Sequence, residues 1–175
     1  MSTRGVAAVE FALIMPVLLV LFLATFDGAQ IIAIYTKLRA ATYTLVAITN
    51  QYGTIKSADM TTIVGATAVV LAPYPSAPAV VTISQIKVNS ANAVVSWSYS
   101  LNGTALTKGA TVTVPSTFAT CATYPCYLIY GNLTYTYTPM FGYFTRGAIT
   151  LSDYLYTTPR STTCIKYPPQ SVTSC

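Results

Sequence analysis

The hydrophobic pattern divides the chain into an unbroken apolar run, a helical stripe and a set of alternating segments. From Phe11 to Phe26 the apolar residues follow one another almost without pause, and Glu10 stands directly at their head. Between residues 6 and 49 only Pro16 and Gly28 speak against a helix. Proline at 16 removes the backbone bond to the Ala12 carbonyl and predicts a kink, which a membrane helix tolerates. At about 1.5 Å per residue such a helix measures on the order of 65 Å. The hydrocarbon of a bilayer is about 30 Å thick, so half of the rod must stand outside it. That outer half has its own periodicity. Ile31, Leu38, Leu45 and Tyr52 recur at every seventh position, with Ile34/Tyr35, Ala41/Thr42 and Ile48/Thr49 between them. This is one apolar stripe at helical period, and Lys37, Arg39 and Tyr43 lie off it.

Beyond the stripe the spacing predicts a second helix over residues 59–71, with Met60, Ile63, Val64, Thr67, Ala68 and Leu71 on one face and Ser57 as its N-cap. Pro73, Pro75 and Pro78 end it. From Val80 the period changes to two. Val95, Trp97, Tyr99 and Leu101 alternate with Ser96, Ser98 and Ser100, and Asn102-Gly103 follows as a hairpin signal. Thr111–Val114 reads as a shorter strand closed by Pro115. Leu133, Tyr135 and Tyr137 alternate with threonines, and residues 149–156 alternate again. Strands joined by short turns predict an antiparallel sheet with one wet face, its dry face covering the helix stripe. The fold class is therefore α+β: a long N-terminal helix packed at its distal half on a small antiparallel sheet.

Composition narrows the setting. Charged residues are 7% of the chain, against roughly 25% in ordinary soluble domains. Polarity comes from serine, threonine and 14 tyrosines, with no histidine. The net charge of +5 arises from nine scattered basic residues, and nucleic-acid binding needs a basic stripe that is missing. All four cysteines, Cys121, Cys126, Cys164 and Cys175, fall in the C-terminal third. An even count beyond a membrane segment reads as disulfides in an oxidising compartment. Zinc is the competing reading, but no histidine is available and the cysteine spacings do not form matching close pairs. Of three possible connectivities, Cys121–Cys126 with Cys164–Cys175 closes the shortest loops and costs least.

No catalytic constellation is legible. Without histidine there is no Ser-His or Cys-His dyad. The acids Glu10, Asp27, Asp59 and Asp153 are dispersed, and Gly-rich phosphate loops are lacking. A Ser-Lys arrangement is the remaining enzymatic option, but the inventory points to a non-enzyme with no cofactor and no metal. The many tyrosines of residues 124–156 fit two readings. They are strand residues with one face in the core, or they form a sticky surface for glycans.

Glu10 carries the most information. A charge in a membrane helix costs about 2.5–3.5 kcal/mol even on lenient scales, so it needs a partner or a purpose. Three readings of the N-terminus compete. A secretory signal peptide would be purely apolar where Glu10 stands, and would end in a small-x-small cleavage pattern that is missing near Ala24 or Ala29. An uncleaved signal anchor meets fewer objections. In the third reading the chain is cut after Gly5, so that Val6 becomes the N-terminus and Glu10 the fifth residue. The glycine cut site, the fifth-position glutamate and the seamless helix resemble a type IV prepilin leader, and the pair Glu10-Phe11 resembles that of Tad pilus pseudopilins. The likeness continues through Trp97, residues 109–115, Leu133–Phe141, Ile149–Ser152 and Pro159-Arg160, which look like the strand order of TadE-type pseudopilins. One departure is that Asp27-Gly28-Ala29 leads to Gln30 where such proteins often carry an arginine, so no role of that arginine carries over.

The resemblance implies a leader over residues 1–5, a helix over 6–52 that spans a membrane in its first half, and a distal domain over 53–175. It implies processing between Gly5 and Val6 by a prepilin peptidase, and subunit assembly through Glu10 and Phe11. The implied partners are other Tad pseudopilins, the major pilin, an inner-membrane assembly platform and membrane lipid. The implied location is the bacterial inner membrane, N-terminus in, with the distal domain periplasmic or, in the filament, extracellular. The implied function is that of a minor pseudopilin that primes the filament or sits at its tip and supports adhesion. The alternative is a membrane-anchored periplasmic scaffold of the same machinery.

Overall fold

A computed structural model describes residues 4–140 and 147–167, with side chains from Ala7 onward. Helix α1 (Arg4–Thr49) runs continuously through Pro16. A turn leads to helix α2 (Ser57–Leu71), then to strands β1 (Ala79–Val88) and β2 (Ala93–Leu101), a short helix α3 (Ser116–Ala119), and strands β3 (Cys126–Tyr137) and β4 (Ile149–Thr157). The architecture is α+β and pilin-like, a long apolar helix packed on a four-stranded antiparallel sheet.

The predicted stripe is the seam. Ile34, Leu38, Ala41 and Leu45 are fully buried, with Val46 beside them, and they meet Val81, Ile83, Ile129 and Leu133 of the sheet. Thr42 and Thr49 lie on the same buried side and donate back to the carbonyls of Leu38 and Leu45, which satisfies their hydroxyls without a partner across the seam. Ile63, Val64 and Leu71 of α2 complete the layer. Helix α2 starts at Ser57, two residues before the expected start at Asp59. Lys56 occupies the cap position, Ser57 is already helical, and the Asp59 carboxylate accepts from the Lys56 N–H at 2.9 Å. An acid in the first turn also complements the helix dipole, so a longer-reaching carboxylate replaces the expected serine cap.

The sheet order is β2-β1-β3-β4, with every neighbouring pair antiparallel. Short turns between all successive strands were expected, and the β2–β3 connection departs from that: residues 102–125 cross the end of β1 so that β3 can pair on its far side. Asn102 does take a left-handed conformation (φ 58°), yet no hairpin follows it. Its side-chain amide donates instead to the Ala79 carbonyl at 3.0 Å. The expected strand at residues 111–114 reduces to one bridge, Thr111 opposite Val94.

This long connection also covers part of the expected wet face, over β1, β2 and the start of β3, while β4 and the rest of β3 keep theirs. Val112, Val114 and Phe118 fold over Ile86, Val88, Ala93 and Leu128 to make a second, smaller core. Ser84 and Ser98 are buried there and share a hydrogen bond of 2.7 Å, while the Ser98 hydroxyl also accepts from the Leu106 N–H at 3.0 Å. Serine alternation marked the correct strand, but its hydroxyls are paired under a loop rather than solvated.

Candidate functional site: the exposed half of the long helix

Helix α1 changes character along its length. From Ala7 to Phe22 every side chain is exposed, Leu13 by 72% and Phe22 by 70%, and the first burial begins at Leu23. The window that defines a candidate membrane span has a mean hydropathy of 2.5 and contributes nothing to the folded core. One apolar helix capable of crossing a membrane is therefore present near the N-terminus. Its apolar side chains are unmatched within the chain, so only lipid or other protein can cover them.

Glu10 sits on this exposed half, among Ala7, Leu13 and Ile14 at helical spacing, with Phe11 beside it 64% exposed. No cation of the same helix lies within four residues of it on the C-terminal side. If it enters an apolar medium, its carboxylate must meet a cation brought from outside these residues or take up a proton. Gly5 and Val6 belong to the first turns of α1; their side chains lie outside the described ones. The structure thus does not bring together a site within one subunit. It presents a carboxylate on a bare apolar rod.

The lower boundary of the folded domain is marked by polar groups whose grouping the sequence pattern did not show. Tyr74, just past α2, donates to the Gln30 side-chain oxygen at 3.2 Å. Burial, then the Asp27 carboxylate, then Tyr74 push the Tyr137 phenol above its ordinary value. One oxygen of Asp27 is buried without a hydrogen-bond donor. Asp27, Gln30, Tyr74 and Tyr137 therefore form a polar collar where the apolar rod enters the domain. Tyr137 closes the alternation of β3 and Tyr74 stands between two prolines, and neither position alone points to Asp27.

The cysteines lie far from this rod. Cys121 and Cys126 are bonded, with Cα atoms 6.2 Å apart, around the Tyr124-Pro125 turn. Cys126 opens β3 opposite Val88, so the bridge fixes where that strand begins. Cys164 is also disulfide-bonded, while Cys175 and the end of the tail lie outside the described residues. The tyrosines lie on both faces of the sheet. Tyr127 and Tyr135 are buried strand residues; Tyr130, Tyr154 and Tyr156 cluster on the outer face with ring centroids 4.7–6.5 Å apart. Among the described residues no group of three histidine, cysteine or acidic side chains is placed to hold a metal.

Residues 5–46 match the model of a family described as TadE-like protein. The chain is TadE-like over this stretch. The match lies wholly within α1, from the glycine of the expected cut site to the valine that touches the sheet. The likeness read onward through the strands to Arg160 has no counterpart in it. The match covers the long helix and none of the sheet. No curated protein and no solved structure matches the chain.

Proposed function

We propose that this chain is a minor pseudopilin of a Tad-type pilus, which primes filament assembly or sits at the tip and so supports attachment to surfaces. The observation that carries the reading is a TadE-like stretch that takes in the whole helix half the fold leaves bare and continues along the same helix to its seam with the sheet. The rod waits in the inner membrane with its N-terminus inside and its distal domain in the periplasm. A prepilin peptidase cuts between Gly5 and Val6, and the assembly platform lifts the subunit into contact with other pseudopilins and the major pilin. The apolar residues then exchange lipid for neighbouring helices, and Glu10 exchanges an unmatched position for a cationic partner. The folded domain built on the helix supports a minor role: a subunit that only lengthens a filament needs the rod and little else.

The test is the mass and location of the protein in cells. Purified filaments should contain a form that begins at Val6, at low abundance relative to the major pilin. An intact Met1, or a start beyond Ala24, would refute processing at Gly5. Processed protein found only in the membrane fraction would instead favour the scaffold.

A further inference from the structure

We infer that the outer edge of β4, together with the cleft between β4 and α1, is a docking site for an extended strand from a different, acidic protein chain. The two edges of the sheet are treated differently. Along β2 the chain covers its own edge: the Val95 N–H donates to the Ala110 carbonyl at 3.0 Å, Gly109 donates to Val95 at 2.8 Å, and Val112 donates to Ala93 at 2.9 Å. Strand β4 pairs with β3 on one side and with no strand on the other among the described residues. It has no proline and no lysine, and of the usual guards of an open edge it carries a single charged side chain. Its one charge, Asp153, lies opposite core residue Leu133 and so on the helix side.

The space beside this edge is shaped for an addition. Arg39, Tyr43, Asp153 and Leu155 line a cleft of about 160 Å³ between helix and strand. Tyr43 and Leu155 continue into a smaller cavity of about 40 Å³ that ends at Asn50 and Arg160. Asn50 is only 2% exposed, and its side-chain oxygen accepts no hydrogen bond. A buried amide oxygen without a donor is costly, and a donor arriving along the cleft would relieve it. A strand paired on β4 places alternate side chains on the helix side, where the cleft would receive them.

Charge selects the occupant. Arg39 lines the cleft and Arg160 the cavity that adjoins it, so two cations outnumber the one acid, Asp153, and the chain as a whole carries +5. A second copy brings the same excess and is repelled, whereas a strand flanked by acidic residues is attracted and held in register. The inference rests on the edge and the cleft alone and stands whether or not the chain belongs to a pilus.

Amide hydrogen exchange on the full chain in detergent micelles tests it, with a short peptide of alternating valine and threonine as probe. With glutamate at both peptide ends, exchange along residues 149–157 should slow by about tenfold or more at saturation, with β2 unchanged. The same peptide ending in lysines should leave β4 unchanged. Combining Arg39→Glu with Arg160→Glu, both on exposed side chains, should weaken the acidic peptide by about tenfold. No slowing at saturating peptide would overturn the inference, as would equal effects of both peptides. So would β4 amides already as protected as those of β1 in dilute protein, or protection that rises with protein concentration alone, which would name a second copy as occupant.

Discussion

Gly131 of β3 lies directly beneath Val46 of α1, so close that a methyl group on the glycine would overlap the valine Cγ2. Leu45 Cδ2 and Ile83 Cδ1 would stand 3.6 Å and 3.7 Å from the same methyl. The helix can approach the sheet this closely only where the sheet offers no side chain. Position 131 is the middle of the seam, flanked in register by Ile83 on β1 and Leu155 on β4.

Gly131→Ala should therefore destabilise the distal domain by about 1–3 kcal/mol, the usual range for overpacking. Valine in a helix holds one rotamer strongly and cannot turn aside. Adding Val46→Ala should recover part of the loss, since it vacates the overlapping volume. Thermal unfolding of the single and double variants measures this. Additive losses would show that the contact does not govern the helix–sheet distance.

The C-terminal segment hangs on Gln85 and Trp97. The Gln85 side-chain oxygen accepts from the Ile165 N–H at 2.7 Å, and the Trp97 indole donates to the Ile165 carbonyl at 2.8 Å. All three residues are fully buried. Gln85→Met keeps the volume but strands a buried N–H, which costs about 1–3 kcal/mol. Trp97→Phe should act similarly on the carbonyl. Both variants should make the segment after Pro159 sensitive to protease while leaving α1 helical. Protease resistance equal to that of the original chain would refute the tether.

That tether shows where sequence reading reaches its limit. The stripe from Ile31 to Thr49 and the alternation in β2, β3 and β4 were legible because burial on one face repeats at 3.6 or 2 residues. Trp97 was legible as a core residue of its strand. Its partner was not, because the contact joins residues 68 positions apart through a backbone carbonyl with no side-chain signature. The same holds for the sheet order. Asn102-Gly103 is a strong local turn signal, but the cover that residues 106–118 give Ile86 and Leu128 is won by long-range packing. Glu10 stood out for the opposite reason: a charge where apolar periodicity demands none is visible without any structure. The polar collar of Asp27, Gln30, Tyr74 and Tyr137 mixes both cases, since the acid was conspicuous and its tyrosines were not.

Alkaline pH should loosen the outer face of the sheet. Burial, then the neighbouring Tyr154, raises the Tyr130 phenol above its ordinary value of 10.0. Burial, then Tyr130 and Tyr154, does the same for Tyr156. The fold thus prefers both phenols neutral. The stability they contribute is complete below pH 10.0, the ordinary value, and is lost as pH rises through the higher native values, because the unfolded chain gives up these protons first. Unfolding midpoints should fall steeply above that point, and less steeply in Tyr130→Phe. An unchanged slope in the variant would remove Tyr130 from the cause.

Glu10→Gln separates the charge of this residue from its shape. The side chain lies on the exposed apolar half of α1, with no cation among the four residues that follow it. Among packed helices a lone carboxylate bears a desolvation cost of several kcal/mol, which a paired cation offsets. The amine freed at Val6 by cleavage is the cation the proposed processing would generate, and the two would meet across neighbouring subunits. Glutamine keeps the volume and removes the charge, so membrane insertion should improve slightly and cleavage after Gly5 should proceed. Incorporation into filaments should nevertheless fall by about tenfold or more, the scale of losing one partly buried ion pair. Quantitative immunoblots of sheared filaments against the membrane fraction read this ratio. Glutamine protein incorporated at the level of the original would mean that the carboxylate serves the membrane stage and not the filament.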